Sequence, residues 1–392
     1  MTVYPLTGVI RPYAWGSRTA IAELQGRPTP AEGPEAELWL GAHPGDPSTV
    51  PGPDGPVELT RLIADDPDGQ LGPATAKTFG PRLPYLMKVL AAGAPLSLQA
   101  HPDAEYARDA YARQEADPAL PKNYTDAHHK PEMLVALTPF EALCGFRDPA
   151  TAATVIAGFG LPRLDPVVDV LRAGDIGAAV RLLLTWPAED RDALIAEVVT
   201  AALPGDESHQ LAVRLAAHYP GDPGVLVALL LNLVRLAPGE AIWMPAGNLH
   251  AYLDGLGVEL MAASDNVLRG GLTPKRVDVD ELLRVLRFEV LDEPLLPAVP
   301  VAPGVDTWHV PVPDFALHRI ELDGTRPPIE VPAGGPRIVL CAAGTVFAGQ
   351  SEDGTPVELA PGTAAYVPAG AGAIKVAGTG RVFVASVPGA AS

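Results

Sequence analysis

The period of the apolar positions changes twice along the chain. Up to about Arg147 the apolar runs are short, with turn residues at their ends; Glu37–Gly41 and Leu83–Leu90 are the clearest. Runs of that length and setting predict β-strands, whereas Ala104–Gln114 reads as a helix. From about Pro149 to Pro238 alanine and leucine dominate, and apolar residues recur at helical spacing, as in 178–184 and in Leu211–His218. Pro149, Pro162, Pro187, Pro204 and Pro220 divide this block into several short helices. Its last apolar run, Gly224–Val234, is too short to cross a bilayer and reads as a buried helix. Strand texture resumes at Ala241–Met244, and a further helix is predicted over Val279–Leu286. After Pro294 the segments Arg337–Cys341, Thr345–Phe347, Ala364–Val367 and Arg381–Ala385 alternate with Gly and Pro, the pattern of an antiparallel sandwich or barrel.

This β-rich, helical, β-rich order predicts three units. Residues 1–148 and 237–290 form one catalytic domain, 149–236 are a helical insertion into it, and 291–392 form a second, smaller β domain. Thirty-nine glycines and 44 prolines in 392 residues agree with short strands and many turns. The net charge of −19 argues against nucleic acid or an anionic membrane as a partner, since both select a cationic face. A small anion is still acceptable, because a few local cations outweigh a distant acidic surface. Cys144 and Cys341 match no metal or redox spacing and read as reduced thiols. With no basic, apolar and cleavable leader at the N-terminus, the expectation is a cytoplasmic protein, monomeric by default.

The candidate chemistry lies in three segments. Gln99 and His101 stand two apart, so on a strand both side chains share one face. Glu132 opens the strand-like run Met133–Leu137, and His250 follows a turn containing Gly247. Two imidazoles, a carboxylate and an amide oxygen make a mixed N/O donor set suited to zinc with an open position, and acceptable to manganese, iron or cobalt. Lysine is scarce, with six in the chain, yet Lys88, Lys130 and Lys275 all fall in or beside these motifs.

The three segments, together with Leu83–Leu90, Glu259–Lys275, Tyr13–Ser17 and Glu37–Gly41, resemble the type I mannose-6-phosphate isomerases in residue type and order. The match is dense over 10–147 and 240–287, and thin in the helical block and the C-terminal region. The resemblance implies a mainly β fold with a helical insertion: a metal-binding cupin-like jelly-roll barrel and a smaller C-terminal cupin-like domain. It implies one Zn2+ per chain held by Gln99, His101, Glu132 and His250. It also implies an active site with Arg269, Lys88, Lys130, Tyr252, Glu259, Asp265 and Lys275, acting on a small sugar phosphate in carbohydrate metabolism and GDP-mannose supply. Ala100, where a larger aliphatic residue is common, and His128 are small departures that touch no ligand.

Aldose–ketose isomerisation needs ring opening, a proton carrier between C1 and C2, and stabilisation of an enediolate. Lys130, two residues from Glu132, is slightly favoured as carrier over Asp265, and His129 is a candidate for ring opening. Arg269, Lys275, Lys88 and the Ser97 hydroxyl are the candidate phosphate contacts. Two rivals share the metal-binding barrel: an iron-dependent oxygenase, disfavoured by a glutamine ligand and the Asp265–Arg269 run, and a non-catalytic sugar-binding module, which would have no reason to keep every ligand and Arg269.

Overall fold

Two antiparallel sheets and a block of helices organise the protein, in a computed structural model that describes residues 2–350 and 355–389. The first sheet has eleven strands and one hub, the thirteen-residue strand His250–Ala262. Its second half pairs with Tyr85–Ala92 on one side and Glu132–Ala136 on the other. Its first half instead pairs with Gln99 and with the strand Phe140–Phe146. The change of partners happens at Gly255, whose φ is +120° and where a Cβ would come within 2.7 Å of the Pro139 carbonyl and the Phe140 ring. Only glycine fits such a bend. One strand thereby belongs to both arcs of a curved, cupin-like sheet.

Period-two alternation sorts this sheet into two faces. Tyr85, Met87, Val89 and Ala91 join Val258, Leu260, Met133 and Val135 in one apolar layer, which continues into Leu317, Ile338, Leu340 and Phe383 of the second sheet. The intervening residues Lys88, Glu132 and Glu259 lie on the opposite face, towards the curved interior. The second sheet, of nine strands, is dominated by Arg337–Gln350 and Ile374–Ser386, paired along their lengths. The three expected segments Arg337–Cys341, Thr345–Phe347 and Arg381–Ala385 are thus pieces of two long strands. One face of this sheet backs the first sheet and the other closes over a core of its own, with Val339, Val346, Val376 and Val384. Tyr4–Leu6, from the other end of the chain, pairs with Ala364–Val367 at this sheet's edge.

The helices Pro149–Ala157, Asp165–Arg172, Ile176–Leu184, Arg191–Ala201 and Glu207–His218 form the block between the two halves of the first sheet. They pack on Leu98, Ala100, Leu143, Ala251 and Leu268, the outer face of the strands that carry Gln99, His250 and Arg269. The run Gly224–Val234 corrects the sequence reading. Gly224–Ala228 is a helix, but Leu231–Leu236 is a strand paired with Phe140–Phe146, and Asn232 donates to the Leu291 carbonyl at 2.8 Å. A short buried apolar run carries no period that separates the two states, and here the open edge of Phe140–Phe146 decides.

The shared apolar layer predicts that the two sheets lose stability together. Leu260→Ala, at a fully buried position of that layer, is expected to cost about 2–5 kcal/mol. Denaturant unfolding followed by far-UV and by near-UV circular dichroism should shift to lower midpoints together; a shift in one signal alone would contradict the shared layer.

Candidate metal centre and substrate cavity

Pro102 ends the short strand Gln99–Ala100, and the Asp103 carboxylate caps the following helix by accepting from the Tyr106 amide at 2.8 Å, which fixes His101 in the bend between them. The turn before His250 docks onto the same bend, since Gly247 N–H donates to the His101 carbonyl at 2.8 Å. Gly247 has φ +79°, and a Cβ there would meet the Val285 carbonyl at 2.9 Å. Asn248 and Leu249 then lead directly into the hub strand. Glu132 comes from the neighbouring strand, and Lys130 just before it.

His101 Nε2 and His250 Nε2 lie 3.3 Å and 3.2 Å from the same oxygen, Glu132 Oε2. All three side chains are buried, and their ligand atoms fall within 4.8 Å of one another. The ring tautomers follow from the other nitrogens. His101 Nδ1 faces the Asn266 carbonyl at 2.7 Å and His250 Nδ1 faces the Asn248 carbonyl at 3.1 Å. A carbonyl only accepts, so each Nδ1 donates and each Nε2 presents a lone pair. His101 Nε2, although near Glu132, is aligned for no hydrogen bond and has no partner among the described residues. Burial pulls the His101 imidazole down to about 4, against the charge of Glu132, so the ring is in its ligating form. Burial also opposes the Glu132 charge, yet the Lys130 ammonium beside it holds the carboxylate ionised, well below its usual range. Two lone pairs converging on a carboxylate oxygen in a buried space are a cation's donor set, and the residues fit a zinc ion.

Register adds the fourth donor and the guanidinium. Gln99 stands directly across from His250 on one side and from Arg269 on the other. Residues opposite one another share a face, so Arg269, Gln99 and His250 form a row on the side away from the helices. The Arg269 side chain makes no hydrogen bond or ion pair among the described residues, and burial draws its guanidinium below the usual range. Arg269 and Asp265 line a cavity of about 390 Å³ with Lys122, Thr125 and Arg276. None of the three clustered ligands lines that cavity. Asn266, fully buried between Asp265 and the ligands, joins the two: its carbonyl accepts from His101 Nδ1, while its side chain donates to the Asp126 and His128 carbonyls at 2.8 Å each.

The remaining predicted residues separate into groups. Lys130 Nζ is buried, 3.0 Å from Glu132 Oε1. Lys88, Glu259 and Tyr252 are brought together, but with each other. Lys88 Nζ lies 2.9 Å from Glu259 and 3.6 Å from Glu37, and the Tyr252 hydroxyl donates to Glu259 at 2.8 Å. Burial alone would lower the Lys88 ammonium; the charges of Glu259, Glu37 and Glu132 outweigh it and hold it above its usual range. Two carboxylates already neutralise Lys88, so a phosphate there would have to displace one. Burial and the neighbouring carboxylates likewise push the Tyr252 hydroxyl well up, which keeps it a donor. Ser97 is half-buried just before Gln99. Lys275 is exposed and lines a separate cleft of about 750 Å³ with Arg191, Asp222 and Arg276. Its volume exceeds that of the Arg269 cavity, but it contains none of the clustered ligands. His129 turns towards the C-terminal region, where Asp314 Oδ2 is 2.9 Å from its Nε2.

Sequence reading missed His43, Asn266, Glu37 and Asp314. Asn266 and Glu37 lay inside motifs already named, and His43 and Asp314 carried no local signal. His43 Nε2 lies 3.0 Å from Asp265 Oδ2. Burial works against the Asp265 charge, but the His43 hydrogen bond and the charges of Lys130 and Lys88 hold the carboxyl below its usual range.

Comparison with known proteins agrees with this geometry. The family model of the phosphomannose isomerase type I catalytic domain matches residues 3–149. The chain is 36% identical over 390 residues to the mannose-6-phosphate isomerase of Escherichia coli (strain K12), covering 96% of this chain and 97% of that one. It is 34% identical over 400 residues to the Homo sapiens mannose-6-phosphate isomerase, covering 93% of each. Among solved structures, a zinc-bound mannose 6-phosphate isomerase superposes with a TM-score of 0.91 at 33% identity, over 99% of this chain and all of that one. A mutant of the Salmonella typhimurium phosphomannose isomerase gives 0.92 at 34% identity with the same coverage.

Cys144 stands across from His250 on the hub strand's other side, buried, with Asn248 donating to its sulfur at 3.5 Å. Burial pushes its thiol up to about 12, against that hydrogen bond, and pushes Cys341 up to about 11. Iodoacetamide at about pH 8 is therefore expected to leave both cysteines unmodified in the folded protein and to modify both after denaturation, as read by mass spectrometry. Rapid native labelling of Cys144 would show that the wall behind His250 opens.

Proposed function

This chain belongs to the type I phosphomannose isomerase family, and from that premise we propose that it interconverts D-mannose 6-phosphate and D-fructose 6-phosphate with one bound zinc ion. The observation that carries the reading is the convergence of the His101 and His250 Nε2 lone pairs on Glu132, in a buried pocket whose strand row continues through Gln99 to an unpaired Arg269. The same reading keeps a monomer of three units (1–148 with 237–290, 149–236, and 291–392) working in the cytoplasm. The charge of −19 speaks against nucleic acid and anionic membrane surfaces, and no helix among the described residues is long and apolar enough to cross a membrane.

In this mechanism Gln99, His101, Glu132 and His250 hold the metal. Zinc, when bound there, supplies Lewis-acid polarisation of the sugar carbonyl and of the enediolate oxygens. Arg269 offers the phosphate a bidentate fork that no carboxylate holds in an ion pair among the described residues, and Lys275, exposed on the neighbouring cleft that shares Arg276 with the Arg269 cavity, adds a point charge. Lys130 Nζ, 3.0 Å from Glu132 at the edge of the metal pocket, acts as the neutral amine: it takes the proton from C2 of the aldose and returns it to C1, while the O2 hydroxyl proton passes to O1. Asp265, held ionised in the cavity with Arg269, accepts from a sugar hydroxyl and orients the chain of the substrate. His129, next to Lys130, assists ring opening. Lys88, Glu259 and Tyr252 keep the interior face charged but internally neutralised, which holds the pocket's shape.

Chelator treatment should abolish conversion of mannose 6-phosphate and zinc should restore it; a chelated, metal-free sample that stayed active would sink the metal assignment. Lys130→Ala should lower kcat by about a hundredfold or more with bound zinc unchanged by metal analysis, and retention of most of kcat would reassign the proton carrier. Arg269→Ala should lower kcat/KM for mannose 6-phosphate by about a hundredfold. If the wild-type protein isomerised unphosphorylated mannose equally well, Arg269 and Lys275 would have no role as anion anchors.

A further inference from the structure

His43 lies in the Gly41–Gly45 turn that follows the strand Glu37–Leu40, far in sequence from every ligand and from Arg269. Its ring is buried, at 8% exposure, with its edge against Trp39 at 4.6 Å between centroids. The Gly45 amide donates to His43 Nδ1 at 3.1 Å. A nitrogen that accepts from an N–H carries no proton, so the single ring proton sits on Nε2, which lies 3.0 Å from Asp265 Oδ2. The ring is thus held on three sides, by a backbone amide, an aromatic face and a carboxylate, and its one donor has one acceptor. Asp265 is fixed from behind as well, through its own backbone amide, which donates to Asp126 Oδ2 at 3.0 Å. Of its side chain about half remains exposed, towards the cavity that Arg269 lines.

We propose that His43 is a positioning residue for substrate binding: as an Nε2–H donor locked by Gly45 and Trp39, it fixes the Asp265 carboxylate so that the free oxygen faces a hydroxyl of the sugar phosphate. The inference rests on the isomerase reading above and adds to it a residue from outside the metal-binding strands. A carboxylate gripped this way contacts the sugar before and during the reaction alike. Loss of the grip therefore weakens binding more than it slows chemistry.

The test compares His43→Phe, which keeps a ring against Trp39 but removes the donor, and His43→Ala with His43→Gln, whose amide N–H can still reach Asp265. Zinc-loaded variants are assayed with mannose 6-phosphate. Phe and Ala should each raise KM about fivefold, with kcat within about twofold and zinc content unchanged, and Gln should restore KM to within about twofold of wild type. In an Asp265→Ala background the His43 changes should add nothing further to KM. Unchanged KM in both donor-less variants, or effects that add fully to those of Asp265→Ala, would overturn the proposal. So would a fall in zinc content and kcat at constant KM, which is the mark of a merely structural residue. Ring-nitrogen NMR shifts of His43 in the wild-type protein give a readout independent of turnover: Nδ1 should be unprotonated, and a protonated Nδ1 would refute the lock. An inactive, zinc-loaded wild type would instead overturn the isomerase reading and the substrate role of His43 with it, while the NMR result still decided the His43–Asp265 pair.

Discussion

The bend of the hub strand at Gly255 is the constraint on which the site depends. Before the bend the strand carries His250 and Tyr252; after it, Glu259. Were the strand straight, residues seven apart would lie more than 20 Å from each other at about 3.3 Å per residue. Instead the Tyr252 hydroxyl reaches Glu259 at 2.8 Å, so the strand closes on itself. Lys88 and Glu37 complete that closure from two neighbouring strands. Buried charges are tolerated only when paired, and this set pairs only if both arcs keep their register. A one-residue slip in Tyr85–Ala92 would turn Lys88 into the apolar layer shared with the second sheet. The same register that buries Met87 and Val89 thus places Glu132, two rows along, where the two imidazoles meet it.

Much of the metal site was legible because its signals are local. Gln99 and His101 obey period two, Glu132 heads an apolar run, and His250 follows a glycine turn. The resemblance then tied these segments to Arg269 and to the cupin-like frame. What could not be read is everything set by pairing across long stretches of chain. The partner of Lys88 is 171 residues away, and nothing in the Leu83–Leu90 run says that its lysine meets two carboxylates rather than a phosphate. His43 is an unremarked histidine in a turn until Asp265 arrives beside it. Asn266 was visible as a letter in a motif, but its role as the tie between His101 and the 125–128 loop needs the folded backbone. Gly224–Val234 shows the same limit for secondary structure. Its second half is a strand because Phe140–Phe146 had an open edge, a fact about another segment.

The C-terminal sheet is more than a cover. One of its faces supplies half of the layer behind Lys88 and Glu259, and the Tyr85 hydroxyl, in the Lys88 strand, donates to the Pro336 carbonyl at 3.0 Å. His129 is held from the same direction by Asp314, next to Lys130. The metal-bearing face and the supporting face are therefore opposite sides of one set of strands, and neither can be rigid without the other.

The edge strand Tyr4–Leu6 sets a condition on how the molecule comes into being. Its partner, Ala364–Val367, leaves the ribosome some 360 residues later, so this strand stays unpaired while the intervening chain is made. Throughout synthesis the back of the Tyr85–Ala92 strand must wait, apolar and uncovered, for a sheet that does not yet exist. Until that sheet is made, the apolar back of the metal-bearing strands is a candidate surface for chaperone binding.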